Sequence, residues 1–416
     1  MVSLSKMQYT TLVLVISLAA RALAQSPEEI MKEATVRAAM EAAKRNEPQT
    51  LDLQVHVCEI AAPPFHEEKR GLELKRLFED LHLQNVQIDK AGNVIGVRPG
   101  KAAHPNLVFS AHLDTVFPEG TDVKVTRTGD QMKGPGIGDD CRGLALMLGV
   151  IRALDEGHVQ TPGTITFVAD VGEEGLGDLR GMKSLFFDSL KGQIDKFVSV
   201  DGTGLGITHI GVGSNRYKVT FKGPGGHSYG AFGMANPIQA MGRAIAKIDA
   251  FQVPSQPKTT FNVGRVGGGT SVNAIPFDAW MEVDMRSADV NALKELDNKF
   301  QAAIKEAVEE ENARWKGRGP VTASAELVGM RPAGQTPKTS PIVQTAMAVS
   351  HAMQIDEVLH EGSTDSNVPM NLGIPAITIS GGGIGTGAHS LNEAFNAQDS
   401  WRGTQRALLL AVALAR

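Results

Sequence analysis

The sequence predicts an α/β protein: a larger domain on a mainly parallel sheet, interrupted by a smaller α+β unit. Three observations carry this reading. Strand-like and helix-like segments alternate as far as about residue 210, the rhythm of a parallel sheet flanked by helices. From about 211 to 330 the rhythm changes to strands separated by two long helices. After 330 the helix–strand alternation resumes, so the middle unit is an insertion into one discontinuous domain. With 416 residues the chain is long for one domain and comfortable for two. The predicted division is a leader at 1–24, the larger domain at 25–210 and 331–416, and the insert at 211–330.

Residues 1–24 read as a secretory signal peptide. Lys6 precedes an apolar run at 11–20 that is too short to span a bilayer. Ala22, Leu23 and Ala24 have the small-x-small form of a cleavage site, which places the cut before Gln25. Residues 27–46, rich in Glu, Lys and Ala, predict a surface helix. A second helix is predicted at 66–82, after Pro63 and Pro64, with Glu67 and Glu68 in its first turn. Strands follow at 93–98 and 107–111, then a helix at 142–155, a strand at 163–170, a helix at 182–190 and a strand at 197–201. In the insert, 216–222 alternates as a strand and 236–251 forms an amphipathic helix. Residues 260–266 and 279–286 are strands, 290–314 a long helix and 321–328 a last strand. The resumed pattern has a helix at 341–353 and a short strand at 376–380.

Hydrophobic residues make up 42% of the chain and charged residues 21%, a globular balance rather than a disordered one. The formal charge is −5, and removal of the leader takes Lys6 and Arg21 with it, leaving −7. That argues against nucleic acid or an anionic membrane as the main partner. No later stretch is long and apolar enough to be a transmembrane helix. An exported protein could join Cys58 to Cys141. However, Cys141 lies in a stretch with metal-binding character, where a bridge would constrain the site, so free thiols are expected.

The chemistry gathers at strand ends. In SAHLDTV, His112 and Asp114 follow the strand 107–111; two residues apart on an extended chain, they face one side, at the edge where α/β sheets bind ligands. The imidazole can bind metal while the carboxylate orients a ligand or tunes a bound water, although a core or surface histidine looks the same in isolation. GPGIGDDCRG, at 134–143, sets Asp139 beside Asp140 on a glycine-rich turn before a helix. Adjacent like charges are costly unless a cation or hydrogen bonds hold them; a helix cap would explain one of the two. In GEEG, at 172–175, Glu173 and Glu174 can divide metal binding and proton transfer, and a solvated loop pair is the alternative. Asp201 ends the strand in FVSVDG, and His389 lies in TGAHSLNE, in the loop after 376–380. Each is weak alone. Together they offer mixed nitrogen and oxygen ligands for two divalent ions and leave one Glu free, a set suited to zinc.

The motifs SAHLDT, GPGIGDD, GEEG, VDG and GAHSLNE, in that order, resemble the dizinc metallopeptidase family that includes carboxypeptidase G, peptidase T, aminoacylase and succinyl-diaminopimelate desuccinylase. The resemblance covers about residues 27–416. It implies a zinc-exopeptidase-like catalytic domain with an inserted lid, through which such proteins also form homodimers. It implies two Zn2+ per subunit, with Co2+ or Mn2+ as substitutes. His112 binds one ion and His389 the other, Asp139 bridges both, and Glu174 and Asp201 are divided between them. A cis peptide after Asp139 is implied too. Glu173 is then the general base and acid, and Asp114 supports His112. In the lid, His227 of GPGGHS matches a histidine that stabilises the oxyanion, often across a dimer. Asn273 of GGTSVNAIP and Arg286 of VDMRS match positions that hold a substrate carboxylate or carbonyl, a task suited to the planar guanidinium fork. One departure is plain: Cys141, followed by Arg142, stands where the family commonly has Lys. No ligand is lost by it.

The resemblance therefore implies hydrolysis of an amide bond in a small peptide or acyl-amino acid, by a water held between the ions with Glu173 as base. Asp201, where several carboxypeptidase-like members carry Glu, and the stretch STDSNVPMNLGIP favour the peptidase T-like branch and a di- or tripeptidase acting from the amino end. A carboxypeptidase G-like or N-acyl-amino-acid hydrolase is the alternative. A non-catalytic binding protein on the same scaffold is disfavoured, because every ligand and the base are retained. The expected location is exported, periplasmic or secreted, without stable membrane association once the leader is removed.

Overall fold

The computed structural model describes residues 25–356 and 358–416; the predicted signal segment lies outside them. Strand Asn106–His112 is buried along its whole length and pairs in parallel with Thr164–Asp170 on one side and Lys196–Val200 on the other. Ala376–Ile379 extends the parallel set beyond Lys196–Val200. Strands buried on both faces read as continuous apolar runs, which is why these four were legible in the sequence. Because they are parallel, their C-terminal ends share one edge of the sheet. The outer strands differ from the prediction. Val94–Arg98 and Gln84–Ile88 on one side, and Ile207–Gly211 and Gly334–Gln335 on the other, join antiparallel. The sheet is therefore mixed, with a parallel centre.

Helices Cys141–Glu156 and Trp401–Leu414 are buried on nearly every side, and Leu144, Leu148, Ile151, Leu408 and Val412 share one core with Phe109. The helix predicted at 27–46 is two helices. Ser26 and Glu29 form a reciprocal capping box on Pro27–Lys32, and Glu33 leaves helical geometry (φ −61°, ψ 131°) before Ala34–Arg45. A further helix, Glu47–Cys58, is missing from the sequence reading. Its buried face carries Glu47, Thr50 and Gln54 beside Leu51 and Val57, so polar residues interrupt the apolar periodicity. Among the described residues no helix is long and apolar enough to cross a membrane. Cys58 and Cys141 are free thiols, both buried.

The middle of the chain builds a second sheet in the order Thr259–Gly268, Asp278–Ser287, Gly213–Lys222, Thr322–Arg331, antiparallel throughout. Alternation sorts its two faces. Tyr217, Val219, Phe221, Met281, Val283 and Met285 form a core with Ala244 and Ile248 of helix Pro237–Asp249 and Phe300 of helix Val290–Arg314. Arg216, Asp284 and Arg286 fall on the opposite face, Arg216 being paired across from Asp284. Gly213–Lys222 follows Ile207–Gly211 after one residue, and Thr322–Arg331 returns to Gly334–Gln335 after two, so both crossings between the sheets are short. A small sheet of Ile384–Thr386, Ala394–Asn396, Gln131–Lys133 and Thr126–Thr128 brings the turn 387–393 beside the loop 134–140.

Candidate metal centre

His112 ends its strand and is 1% exposed. Its Nδ1 donates to the Asp114 backbone oxygen at 2.9 Å, which turns Nε2 towards Asp139 Oδ1 at 3.1 Å. A carbonyl only accepts, so Nδ1 carries a proton and Nε2 is the nitrogen left for a metal. The other oxygen of Asp139 meets His389 Nε2 at 3.1 Å, and the same nitrogen lies 3.0 Å from Glu174 Oε1. Asp139 thus stands between the two imidazoles, one oxygen to each. Potential ligand atoms lie within 4.8 Å of one another in three groups: His112, Asp139 and Asp201; Asp139, Glu174 and His389; and His112, Glu173 and Glu174. The Asp139–Asp140 peptide is cis, as the resemblance implies.

The two aspartates divide their work. The carboxylate of Asp140 accepts the Gly143 N–H at 3.0 Å and caps helix Cys141–Glu156. A Cβ on Gly143 would sit 2.3 Å from those oxygens, so only glycine leaves room for the cap. Asp114 also differs from expectation. Its carboxylate is 3.8 Å from His112 Nδ1 and instead accepts the N–H groups of Gly172 (2.8 Å), Glu173 (3.0 Å) and Glu174 (2.8 Å). It supports His112 through its backbone and shapes the glutamate loop with its side chain.

The charges are crowded. Burial would lower His112, but hydrogen bonding to Asp139 and the nearby carboxylates outweigh it and hold the imidazole well above its usual range. Burial would raise Asp139, and the two imidazoles outweigh it, holding it below the usual carboxylate range. Hydrogen bonds to Asp139 and Glu174 lift His389 to about 10. Burial, then the charge of Asp139, lifts Asp201 to about 7. Burial also pushes Glu173 well up, against the pull of Arg331. The residues fit divalent ions: each group joins imidazole nitrogen to carboxylate oxygen, and the clustered carboxylates favour a nearby cation.

A cavity of about 360 Å³ opens over this cluster, lined by Asp139, Glu173, Glu174, Asp201, His389 and Arg286 of the predicted site. Arg331, Arg216 and Ser363 line it too and were not singled out from the sequence. An isolated Arg at a strand end carries no spacing signal. His227 and Asn273 do not line it. They lie together on the insert, where Gly226–His227 pairs with Ala274–Ile275 and the Ser228 N–H donates to the Asn273 backbone oxygen at 2.9 Å. Both are exposed, and within one chain they stand outside the cavity that Asp139, Glu173, Glu174, Asp201 and His389 line.

Residues 108–412 match the peptidase family M20/M25/M40, well over half of the chain. The chain belongs to this family. Among curated relatives, the uncharacterised protein YqjE of Bacillus subtilis is 26% identical, the match covering 81% of this chain and 91% of that protein. The cytosol non-specific dipeptidase of Escherichia coli is 24% identical over 63% of this chain and 59% of its own length. Carboxypeptidase G2 of a Pseudomonas species is 27% identical over 59% and 57%. Among solved structures, the aminopeptidase PepT of Bacillus cereus superposes with a TM-score of 0.72 at 21% identity, covering 89% of this chain and 99% of that one. A dinuclear metal-binding M20 peptidase of Bacillus subtilis gives 0.67 at 16%, covering 89% and 98%. The M20 fold, a catalytic domain with an inserted lid, accounts for the two sheets. The chain is accordingly an exopeptidase or amidohydrolase of a metal-dependent family.

Proposed function

We propose that this M20 enzyme hydrolyses amide bonds in small peptides, as a di- or tripeptidase acting from the amino end. The strongest support is Asp139 standing between His112 and His389, with buried Glu173 opening on the same cavity. The donors suit two Zn2+, with Co2+ or Mn2+ as substitutes, at His112, Asp139 and Asp201 and at Asp139, Glu174 and His389; bound there, the ions supply Lewis acidity and lower the pKa of water. The chain's own residues do the rest. Glu173 takes a proton from the attacking water and returns it to the leaving amine. Arg216 and Arg286, drawn together by Asp284 at 3.0 and 2.7 Å, present guanidinium groups to a substrate carboxylate or carbonyl. The cavity volume suits a small ligand.

We assign His227 and Asn273 to the site of a second copy, in a homodimer formed through the lid. His227 Nδ1 accepts the Tyr229 and Gly230 N–H groups at 3.2 and 3.3 Å, so Nε2 carries the proton. It is the donor offered to an oxyanion, a contribution typically of ~3–4 kcal/mol. Export of the protein belongs to the same reading and rests on residues 1–24.

A second reading, a carboxypeptidase G-like or N-acyl-amino-acid hydrolase, is favoured by Arg216 and Arg286 on the cavity wall, which suit a terminal carboxylate. The test is Zn2+-loaded protein against free, N-blocked and C-blocked di- and tripeptides. Cleavage of free and C-blocked peptides is expected; cleavage confined to N-blocked peptides transfers the assignment to the second reading. Glu173→Ala is expected to abolish turnover with metal retained. A native chain with no tightly held metal and no chelator-sensitive hydrolysis would be a binding protein instead.

A further inference from the structure

Glu393 takes no part in the chemistry above, yet it is 2% exposed and lies against the metal centre. Its Oε2 accepts the Gly136 N–H at 2.9 Å, and its Oε1 accepts those of Gly138 at 2.7 Å and Asp139 at 3.0 Å. Its backbone oxygen accepts the Gly134 N–H at 3.1 Å. All four donors belong to the loop that carries Asp139. Glu393 itself follows His389 by four residues, at the end of the turn between Ile384–Thr386 and Ala394–Asn396. One side chain therefore ties the His389 turn to the Asp139 loop, across 254 positions of sequence.

The loop is shaped to admit it. Gly136 takes φ +79°, and a Cβ on Gly138 would lie 3.2 Å from Glu393 Oε1. Neighbouring N–H groups turned inwards form a concavity for an anion, and here the anion is a side chain of the protein. Burying a carboxylate is costly unless hydrogen bonds compensate it, so its presence calls for a return. Merely joining the two segments does not need it, because Ala394 already pairs with Lys133 in the small sheet. What the carboxylate adds is a grip on the backbone N–H of Asp139 itself.

We propose that Glu393 is a positioning residue of the metal centre: by gripping the Gly136–Asp139 backbone it fixes the Asp139 carboxylate relative to His389. It thereby sets the affinity for the divalent ion of the Asp139, Glu174 and His389 group. This rests on the metal-site reading above. The effect falls mainly on that ion, because the other group keeps His112 and Asp201, which end or follow strands of the main sheet.

The test is titration of metal-stripped, full-length protein with Zn2+, counting bound ions by equilibrium dialysis, with the Co2+ absorption spectrum reporting coordination. The wild-type chain is expected to take up two ions. Glu393→Ala is expected to keep one at near-native affinity and to bind the second ~10–100-fold more weakly, the range typical of groups that orient metal ligands. Glu393→Gln, with the same shape but one acceptor oxygen, falls between. Circular dichroism and thermal unfolding of the metal-free forms establish that the variants fold; if Glu393→Ala does not, Glu393→Gln carries the test. Binding of both ions at wild-type affinity overturns the proposal, and so does an equal loss of both. A wild-type chain that takes up fewer than two ions overturns the metal reading itself, and the role of Glu393 with it.

Discussion

Arg331 Nη1 stands 3.0 Å from Glu173 Oε1, and its Nη2 donates to the backbone oxygen of the same residue. Arg331 ends the insert's strand Thr322–Arg331, whereas Glu173 lies on a loop of the larger domain. The pair therefore fastens the lid to the proposed base. Two contacts flank it: Arg216 Nη1 donates to the Gly175 oxygen at 2.6 Å, and the Met330 N–H donates to Asp178 Oδ1 at 2.7 Å. The seam between the two units runs along the loop that presents Glu173 and Glu174.

Removing this guanidinium takes from buried Glu173 its arginine partner. Hydrogen bonds to charged groups contribute ~1.5–3 kcal/mol, so Arg331→Ala is expected to lower kcat/KM by ~10–100-fold. Arg331→Lys, lacking the planar fork, recovers part of the loss. Arg331 opposes the upward pull of burial on Glu173, so its removal moves the acid limb of the kcat/KM profile to higher pH. Steady-state kinetics across pH checks both. An unmoved limb with unchanged kcat/KM would show that Arg331 does not act on the base.

Asp114 is the counterpart on the other side of the site. Asp114→Asn presents an amide N–H₂ to a loop that offers only N–H donors, so the Gly172–Glu174 backbone must shift. A fall in kcat of ~10–100-fold is expected. The His112 ion is expected to stay, since the His112 ring is anchored on the Asp114 backbone oxygen. Kinetics with a metal count decides. Loss of the His112 ion would show that the carboxylate supports the ring directly, as the sequence suggested.

These two carboxylates show where sequence reading ends. The gathering of His112, Asp139, Glu174, Asp201 and His389 in one place was legible because each stands at or just beyond a buried strand or on a glycine loop, and their order matches a family. The same motifs contain Asp114 and Glu393, but what these accept is set by backbone N–H groups of distant loops, which leave no mark in spacing. Arg331 has no local signal at all. Helix Glu47–Cys58 was hidden for a related reason: its buried face is partly polar, and Glu47 is satisfied by Arg142, Ser400 and Thr404, 95 or more positions away. His227 and Asn273 were read from motif likeness, which for His227 already pointed across a dimer but for Asn273 named no chain.

Arg142 occupies a position where a basic residue next to the metal loop suggests a role in the site. It turns inward instead. Its side chain is fully buried, pairs with Glu47 at 2.8 Å and donates to Gly381 O, Ser400 O and Thr404 Oγ1. Removing one partner of a buried pair typically costs ~3–5 kcal/mol, because the other charge is left uncompensated. Arg142→Ala is expected to lose that much stability in denaturant unfolding. The double variant Arg142→Met with Glu47→Gln is expected to lose less than Arg142→Ala. Equal losses would mean that the uncompensated charge is not the cause.

Asp170 and Asp365 lie buried beneath the site without the hydrogen-bond donors that an ionised pair would need. Among the described residues, Asp170 Oδ1 and Oδ2 and Asp365 Oδ1 have no partner unless one carboxyl keeps its proton and shares it with the other. Burial lifts Asp170 to about 7. Between about pH 4 and 7 the folded protein then holds a proton that the unfolded chain releases, so stability must fall as pH rises through that window. A shift of this size corresponds to at most ~4 kcal/mol, shared within a pair that titrates together. Asp201 and Glu173, also raised by burial, add slope of the same sign. In chelator-treated protein, Asp170→Asn supplies a permanent N–H donor to Asp365 and removes one titrating group. It is therefore expected to flatten the decline between pH 5 and 7.5 without abolishing it. Denaturant unfolding at several pH values measures the slope; a variant as steep as the wild type would mean that no proton is shared there.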